Sequence, residues 1–257
     1  MFNIEDFQKR RRGRFGKNFH YLPQVDSTNR VAEELARSGV EEGALVLTDE
    51  QTAGKGRKGN AWYSPPEENL YFTLLLRPFE KRLHHLPFLA GLAIARMLSG
   101  FSIDADLKWP NDVLADGKKI SGMLIQTSIE QNHLQFAVLG CGLNVNTRCF
   151  PAQLAERATS IRILKGAPVP REQVLASLLL EFEELYGRIQ EMSWSDLCRE
   201  VENSSSIIRN CEVLVQENGK TFRGTTCGLD PFGGLIVETV EGRRAFYAGE
   251  VQSCRKN

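Results

Sequence analysis

The segment "DVLADGKKISGMLIQTSIE", Asp112–Glu130, contains the clearest indication of the fold. Asp116 and Gly117 lie between two apolar runs, and an Asp-Gly pair in this setting is among the strongest sequence signals for a β-hairpin turn. Another strand pattern, "HLQFAVLGCGLNVN", follows directly after Asn132. Because hairpins pair their strands in antiparallel fashion, we expect a mainly antiparallel sheet in this part of the chain.

Helix and strand patterns occur together along the first 208 residues, which predicts an α+β domain with helices flanking the sheet. Apolar spacing, caps and breakers define the separate elements. The predicted helices are Ser27–Gly39, Leu86–Leu98 and Arg171–Met192, and the predicted strands outside the hairpins are Ala44–Gln51, Leu70–Leu76 and "DADLKW" at 104–109.

The character of the sequence changes near Ile208. Between Cys211 and Cys254, short strand patterns are separated by the turns "ENGK", "DPFGG" and "VEGR". About five strands in about 45 residues are typical of a small SH3-like β-barrel. We therefore predict two domains, residues 1–208 and residues 209–257.

Composition limits the classes of function. Lys and Arg total 32 and Asp and Glu total 32, so bulk charge gives no argument for binding nucleic acid or a membrane. The N-terminus lacks a signal-peptide core, and no apolar run approaches the ~18 residues that span a bilayer. The six cysteines are scattered without a C-x-x-C pair, which favours free thiols in a reducing cytoplasm over a disulfide or metal framework.

A basic run, "KRRRGR" at Lys9–Arg14, lies near the N-terminus. Such charge runs are usually solvated, so we expect a partly disordered arm. Contact with phosphate or with an acidic partner is the alternative.

The loop "GKGRKG", Gly54–Gly59, follows a predicted strand and combines three glycines with three cations. Pro65 and Pro66 exclude the helix that a dinucleotide fingerprint requires, and Asn60 stands where a P-loop needs Lys. The cations repel one another and glycine lets backbone N–H groups approach a ligand, so the loop favours an anion.

Several motifs together resemble the biotin protein ligases. The three main ones are "GKGRKGNAWYSP", "KWPNDVLADGKKISGMLIQ" and "GCGLNVN", and "DSTN", "DEQTAG" and the C-terminal "AGEV" also fit. The resemblance runs from about residue 20 to the end, in order and spacing. It implies a mixed, mainly antiparallel sheet with flanking helices, as in class II aminoacyl-tRNA synthetases, followed by a small SH3-like barrel.

The resemblance also implies a two-step reaction. Biotin and MgATP give biotinyl-5′-AMP and pyrophosphate, and a lysine of a biotin carboxyl carrier domain then attacks the mixed anhydride. The first step brings a carboxylate to a triphosphate, so cations must offset the repulsion. By resemblance, Arg57 and Lys119 supply these cations, and Asp112 orients or deprotonates the lysine amine in the second step.

The resemblance further implies the binding residues. The predicted biotin contacts are Ser27, Thr28, Asn29, Gln51, Gly54, Lys55, Gly56, Arg57, Trp62, Lys119, Gly122 and Gly140. The predicted ATP contacts are Arg57, Lys58, Trp62, Asn111, Lys119 and Asn144. No protein metal site is expected beyond the Mg²⁺ that accompanies ATP.

This chain departs from the family pattern at three positions. Lys55 and Lys58 stand where arginines are more usual, and Gln126 stands where many members have Glu. A lysine cannot grip a carboxylate with the two-pronged geometry of arginine, so biotin affinity would drop if Lys55 acts through its side chain.

Two other functions stay open at the level of sequence. A lipoate–protein ligase shares the fold, but Gln51 and the glycine loop favour biotin, because lipoate has no ureido group. A biotin-responsive repressor would carry a DNA-binding domain, and about 18 residues before "FHYLPQVDSTN" are too few for a three-helix module. We expect no DNA or membrane partner, and a homodimer is plausible by analogy with related ligases.

Overall fold

Seven strands form the central sheet of the computed structural model, which describes residues 1–78, 80–188 and 193–254. The strands are β1 (Phe19–Val25), β2 (Leu45–Gln51), β3 (Leu70–Leu76), β4 (Asp106–Lys108), β5 (Asp112–Ala115), β6 (Lys118–Glu130) and β7 (His133–Leu143). Their spatial order is β1-β2-β3-β7-β6-β5-β4, in which β1 and β2 pair parallel and every other pair is antiparallel. The predicted mixed, mainly antiparallel sheet is confirmed.

The predicted hairpin joins β5 to β6. Asp116 and Gly117 both have positive φ, 51° and 69°, as a two-residue type I′ turn requires. This turn and a β-bulge between Val113 and Leu114 together set the register that pairs Asp112 with Gly122. The pairing brings the "ND" part of the "KWPND" motif next to the glycine that follows "KKIS" in the same segment.

Helices cover both faces of the sheet. They are α1 (Ile4–Arg10), α2 (Thr28–Arg37), α3 (Leu86–Ser99), α4 (Ala152–Ala155), α5 (Ile161–Lys165), α6 (Arg171–Arg188) and α7 (Trp194–Asn203). Helix α2 packs on one face, where Val46, Leu75 and Val138 are buried. Helices α3 and α6 pack together against the opposite face. The last four residues of the helix predicted to end at Met192 lie outside the described residues.

The N-terminal segment is folded, so the expectation of a partly disordered arm was wrong. Phe7 and Phe15 are completely buried. The carboxylate of Glu183 on α6 accepts hydrogen bonds from the backbone N–H groups of Arg14 and Phe15. Aromatic burial therefore anchors the segment, and the basic side chains between these phenylalanines concealed that pattern in the sequence.

The C-terminal part is a separate five-stranded antiparallel sheet. Its strands are β8 (Arg209–Glu217), β9 (Lys220–Leu229), β10 (Leu235–Thr239), β11 (Gly242–Phe246) and β12 (Glu250–Ser253), in the order β11-β10-β9-β8-β12. The three predicted turns connect β8 to β9, β9 to β10 and β10 to β11. Residues 255–257 of the predicted second domain lie outside the described residues.

The two sheets share one hydrophobic core. Val215 and Phe246 of the C-terminal sheet belong to the same buried cluster as Phe88 and Trp109. The indole Nε1 of Trp109 donates a hydrogen bond of 3.0 Å to the carbonyl of Gly233 in the β9–β10 turn. The C-terminal sheet therefore packs against the "KWPND" segment. It also places β12 beside the site described next.

Candidate active site

A cavity of about 280 Å³ lies between the start of α2, the glycine loop, strands β6 and β7 and the first residues of β12. Most of the predicted site residues meet there. Those that line it are Ser27, Thr28, Asn29, Gln51, Lys55, Gly56, Arg57, Lys58, Trp62, Asn111, Asp112, Lys119, Gly122 and Gly140.

The cavity also has walls that the sequence did not identify as site residues. These are Asn60, Ala61, Lys108, Trp109, Pro110, Met123, Leu124, Cys141, Gly142, Gly249, Glu250, Val251 and Gln252. Many belong to the motifs already quoted, including "KWPND" and "AGEV", so the signal was present. What could not be predicted from the sequence is that β12 packs against the first 208 residues and lines the cavity.

Glycines on neighbouring strands form the floor of the cavity. Gly122 on β6 pairs with Gly142 on β7, and Trp62 lies on both. A methyl group at Gly142 would stand 2.3 Å from the Trp62 ring, and one at Gly122 would stand 2.9 Å from it. Because real side chains do not approach so closely, only glycine at these positions lets the indole lie this near the sheet.

The glycine loop is an ordered turn in this structure. Lys55 and Ala61 form an antiparallel bridge, and the Gly56 N–H donates a 2.7 Å hydrogen bond to the carbonyl of Asn60. Lys58 has a positive φ of 56°, and its Nζ lies 3.7 Å from Oε1 of Glu250 on β12. The loop therefore closes one side of the cavity and contacts the C-terminal sheet.

Gly54 is buried and does not line the cavity. A methyl group there would lie 3.0 Å from Nε2 of Gln51 and 3.1 Å from Oγ of Ser64. Its carbonyl accepts a 2.9 Å hydrogen bond from the Trp62 N–H. Gly54 thus affects the cavity only through its neighbours, because it leaves space for the Gln51 amide and holds the Trp62 backbone.

Arg57 reaches from the loop to the "KWPND" segment. Its Nη1 donates a 3.1 Å hydrogen bond to Oδ1 of Asn111, whose Nδ2 donates a 2.7 Å bond to the carbonyl of Met123. Burial lowers the pKa of Arg57, while the charges of Asp112 and Glu250 oppose that change. A guanidinium stays protonated under such conditions, so the cavity contains a partly desolvated cation.

Lys119 and Asp112 form the central ion pair of the cavity, with 2.7 Å between Nζ and Oδ1. The Lys119 ammonium also lies 5.0 Å from the centre of the Trp62 ring, within the range of a cation–π contact. Its backbone is fixed on both sides, because its N–H donates to Arg157 O at 2.8 Å and its carbonyl accepts from Thr159 N at 3.0 Å.

Asn144 lies outside the cavity, although the sequence predicted an ATP contact. It is 4% exposed, and its Nδ2 donates a 3.0 Å hydrogen bond to the carbonyl of Thr159. Since Thr159 in turn bonds to Lys119, the amide of Asn144 holds the segment that fixes the Lys119 backbone. In this structure its contact is with that segment.

The start of α2 presents polar groups beside Gly140 and Leu124, which pair two residues along β7 and β6 from the Gly142–Gly122 pair under Trp62. We call this part of the cavity its polar end. Ser27 occupies the N-cap position but its hydroxyl makes no capping hydrogen bond, which leaves that group free for a ligand. The Thr28 N–H donates a 3.0 Å hydrogen bond to Oε1 of Gln51. Thr28 and Gln51 therefore hold each other in place beside Ser27.

Asn29 lines the cavity, but its amide is occupied inside the protein. Its Nδ2 donates to Oε1 of Gln126 at 2.6 Å, and its Oδ1 accepts from the hydroxyl of Thr73 at 2.7 Å. A methyl group at Gly140 would stand 2.1 Å from the same Oδ1. Gly140 therefore serves to make space for this amide.

Within residues 1–78, 80–188 and 193–254, no group of three or more His, Cys, Asp and Glu side chains is placed to hold a metal ion. None of the helices within that part of the chain is both long and apolar enough to cross a bilayer.

Comparison with known proteins identifies the family. A model of the biotin/lipoate A/B protein ligase family matches residues 21–144, and a model of the biotin protein ligase C-terminal domain matches residues 209–252. A bifunctional ligase/repressor BirA from Bacillus spizizenii is 32% identical over 243 residues, which cover 92% of this chain and 74% of that protein. The chain therefore belongs to the biotin/lipoate A/B protein ligase family.

Relatives and solved structures place the chain within that family. A biotin–[acetyl-CoA-carboxylase] ligase from Paracoccus denitrificans is 31% identical, over 90% of this chain and 98% of that protein. The biotin protein ligase of Aquifex aeolicus, solved in complex with biotin and ATP, superposes with a TM-score of 0.79 at 32% identity, over 93% of this chain and 100% of that one. The chain is accordingly an enzyme of the biotin protein ligase type, as the motif resemblance predicted.

Proposed function

We propose that this enzyme activates biotin as biotinyl-5′-AMP and transfers the biotinyl group to a lysine of a biotin carboxyl carrier domain. The observation that carries the proposal is one cavity that is lined both by cations and by uncharged polar groups. Arg57 and Lys119 form the cationic end, and Ser27, Thr28 and Gln51 form the polar end. Biotin has the same division, with a carboxylate at one end and a ureido ring at the other.

In the first step, a carboxylate oxygen of biotin attacks the α-phosphorus of MgATP. The P–O bond to the β-phosphate breaks and pyrophosphate leaves. Lys119 would lie between the carboxylate and the α-phosphate, and Arg57 would contact phosphate or carboxylate oxygens. Both cations act where negative charge is crowded, in a site shielded by Trp62 and the loop. Mg²⁺ bound to ATP would offset part of the charge of the leaving pyrophosphate.

In the second step, a neutral lysine amine attacks the acyl carbon of biotinyl-AMP, an amide bond forms and AMP leaves. The ordinary pKa of a lysine is about 10.4, so the amine must lose a proton near the site. Asp112 lies within the cavity, with Oδ1 at 2.7 Å from Lys119 Nζ. We assign it the orientation of the incoming amine and acceptance of its proton.

The polar end of the cavity favours biotin over lipoate. A ureido ring offers two N–H donors and one carbonyl acceptor, and the dithiolane of lipoate offers none of them. Polar groups that stay unpaired in a buried site weaken binding strongly. A homodimer, the absence of DNA binding and the two-domain division at residue 209 remain predictions.

The test is a comparison of acids in a pyrophosphate-release assay with MgATP. We expect release with biotin and accumulation of biotinyl-5′-AMP, seen by mass spectrometry, when no carrier is present. Lipoic acid at the same concentration should give at most a small fraction of that signal. Equal rates with the two acids would favour a lipoate-type ligase, and release with neither would contradict the proposed activation step.

A further inference from the structure

We infer that Asn69, a buried residue directly before β3, is a positioning residue for Lys119. Its side-chain amide holds the four residues that follow β7, and those residues hold the segment to which the Lys119 backbone is bonded. The inference rests on the proposed function, because it concerns how the enzyme places the Lys119 ammonium group for the activation step.

Lys119 lies beyond the end of the ladder that joins β6 to β7. That ladder begins with the pair of Ser121 and Leu143, two residues further along β6. On one side Lys119 pairs with β5, and on the other it forms an isolated parallel bridge with Ala158. Residues 157–159 belong to neither a helix nor a strand. The position of the Lys119 backbone therefore depends on what holds this segment.

Residues 144–147, which follow β7, hold that segment and the start of α5. Nδ2 of Asn144 donates a 3.0 Å hydrogen bond to the carbonyl of Thr159, and the hydroxyl of Ser160 donates a 2.7 Å bond to the carbonyl of Thr147. Two backbone bonds of 3.2 and 2.8 Å run from the N–H groups of residues 161 and 162 to the carbonyls of residues 144 and 145. A shift of residues 144–147 would consequently move the support of Lys119.

Asn69 takes the place of a neighbouring strand for residues 144–147. It is 0% exposed and stands just before Leu70, which forms the end pair of β3 and β7 with Leu143. Oδ1 of Asn69 accepts the N–H of Val145 at 2.8 Å, and its Nδ2 donates to the hydroxyl of Thr147 at 2.8 Å. The amide thus supplies one acceptor and one donor at the point where the backbone ladder stops.

The surroundings of Asn69 fix its amide in this orientation. Nδ2 also donates a 3.0 Å hydrogen bond to the Tyr71 hydroxyl, and Nη1 of Arg171 donates a 3.1 Å bond to the Asn69 carbonyl. Arg171 is itself paired with Asp49 at 2.7 Å, and both side chains are buried. Fully hydrogen-bonded buried groups of this kind form a rigid unit. Without the amide, the Val145 N–H would lose its acceptor in the interior.

The first experiment measures biotin-dependent pyrophosphate release and, separately, biotin binding by calorimetry without ATP. Asn69→Leu keeps a similar volume but removes both polar atoms, and we expect kcat to fall about thirtyfold. The Kd for biotin should stay within about threefold, because the start of α2 and Gln51 take no part in these contacts. Thr226→Val is the control, since its buried hydroxyl bonds to Cys211 in the C-terminal sheet, and its kcat should not change.

The same substitution in a Lys119→Ala background separates positioning from a general loss of structure. If Asn69 acts through Lys119, Asn69→Leu should lower the residual rate there by no more than about threefold, because effects that share one target do not add. A further loss of about thirtyfold in that background would overturn the inference. So would an unchanged kcat in the single variant, or a Kd for biotin that rises as much as kcat falls.

Thr147→Val keeps the inference testable if Asn69→Leu does not fold. It removes only the hydroxyl that Asn69 contacts, so kcat should fall about fivefold, and the residual rate of Lys119→Ala should not fall further. An unchanged kcat, or an equal loss in both backgrounds, would remove Asn69 from the mechanism and leave the proposed function standing. If the unmodified enzyme releases no pyrophosphate with biotin and MgATP, the proposed function itself fails.

Discussion

At the scale of single residues, Lys119 is the cation in the cavity that is held by both its side chain and its backbone. It pairs with Asp112, lies over Trp62 and has its backbone fixed by the 157–159 segment. We expect Lys119→Ala to reduce biotin-dependent pyrophosphate release about a hundredfold or more, because a preorganised charge in such a site contributes on the order of 3 kcal/mol.

Lys118→Ala is the control for that prediction. Lys118 is adjacent in sequence, but its ammonium donates to the carbonyl of Ala155 at 3.2 Å and does not line the cavity. Its activity should stay close to that of the unmodified enzyme. Normal pyrophosphate release by Lys119→Ala would remove this residue from the mechanism.

Asp112→Asn separates the two steps of the reaction. The amide cannot accept a proton from the carrier lysine, so single-turnover transfer from preformed biotinyl-AMP should slow by about a hundredfold. Adenylation should be affected less. Asp116→Asn, in the hairpin turn, is the matched control. Unchanged transfer by Asp112→Asn between pH 6 and 8 would show that its carboxylate only holds Lys119.

At the scale of elements, the glycine loop is expected to open and close. Lys55 and Lys58 are exposed, whereas Arg57 is partly buried and bonded to Asn111. Trypsin should therefore cut after the two lysines first in the free protein. Biotin with MgATP should slow this cleavage strongly, and MgATP alone should slow it much less. Equal cleavage rates under every condition, read by mass spectrometry, would mean that the loop is not a lid.

A second element-scale prediction concerns the contact between His85 and the β9–β10 turn. His85 stacks on Trp194 at 4.1 Å, its Nε2 lies 3.3 Å from the carbonyl of Pro231, and its Nδ1 is buried without a partner in the described structure. Burial lowers the pKa of His85, the contact with the Pro231 carbonyl opposes that change, and the charges of Arg82 and His84 add smaller effects in the direction of burial.

As the pH falls, His85 therefore takes up a proton more readily in the unfolded chain than in the folded protein. The contribution of His85 to the free energy of unfolding should be constant above about pH 7 and should fall as the pH drops below about 6.5, the ordinary pKa of histidine. Urea unfolding measures the free energy of unfolding at pH 7.5 and 5.5. Its decrease between these two pH values should be smaller for His85→Phe than for the unmodified protein. His133→Gln, at an exposed position, should keep the original loss. Identical losses in all three proteins would rule out His85 as a source of the acid sensitivity.

The elements with strong local signals could be predicted from the sequence. Asp116-Gly117 identified the hairpin, and apolar spacing identified Leu70–Leu76 and the helix from Arg171. Strand β1 was missed because Pro23 and polar neighbours weaken its pattern, and it is held by parallel pairing with β2. Helix α1 was missed because its stability comes from Phe7 in the core, a tertiary contact.

The cavity shows the same limit. Motifs indicated most of its lining, but they could not distinguish residues that face the ligand from residues that hold them. Gly54, Asn29 and Asn144 were predicted as contacts, and each has its main interactions with protein groups. Thr73 belongs to no motif, and the contacts of its hydroxyl with Thr28 and Asn29 depend on strand pairing that local sequence does not encode.

At the scale of the whole molecule, the C-terminal sheet completes the cavity of the candidate active site. Glu250 and neighbouring residues of β12 line one wall, and Trp109 ties the "KWPND" segment to Gly233. Because the buried core is continuous across residue 209, activity and folding should depend on both parts together. A carrier domain would approach an opening bordered by both.

The most direct test of the central claim is the mass of a carrier domain after incubation with this enzyme, biotin and MgATP. We predict that the carrier gains one biotin less one water, on its target lysine, and that omission of ATP prevents the gain. A carrier with that lysine changed to arginine should stay unmodified. No mass gain with the complete mixture, or an equal gain without ATP, would contradict the account.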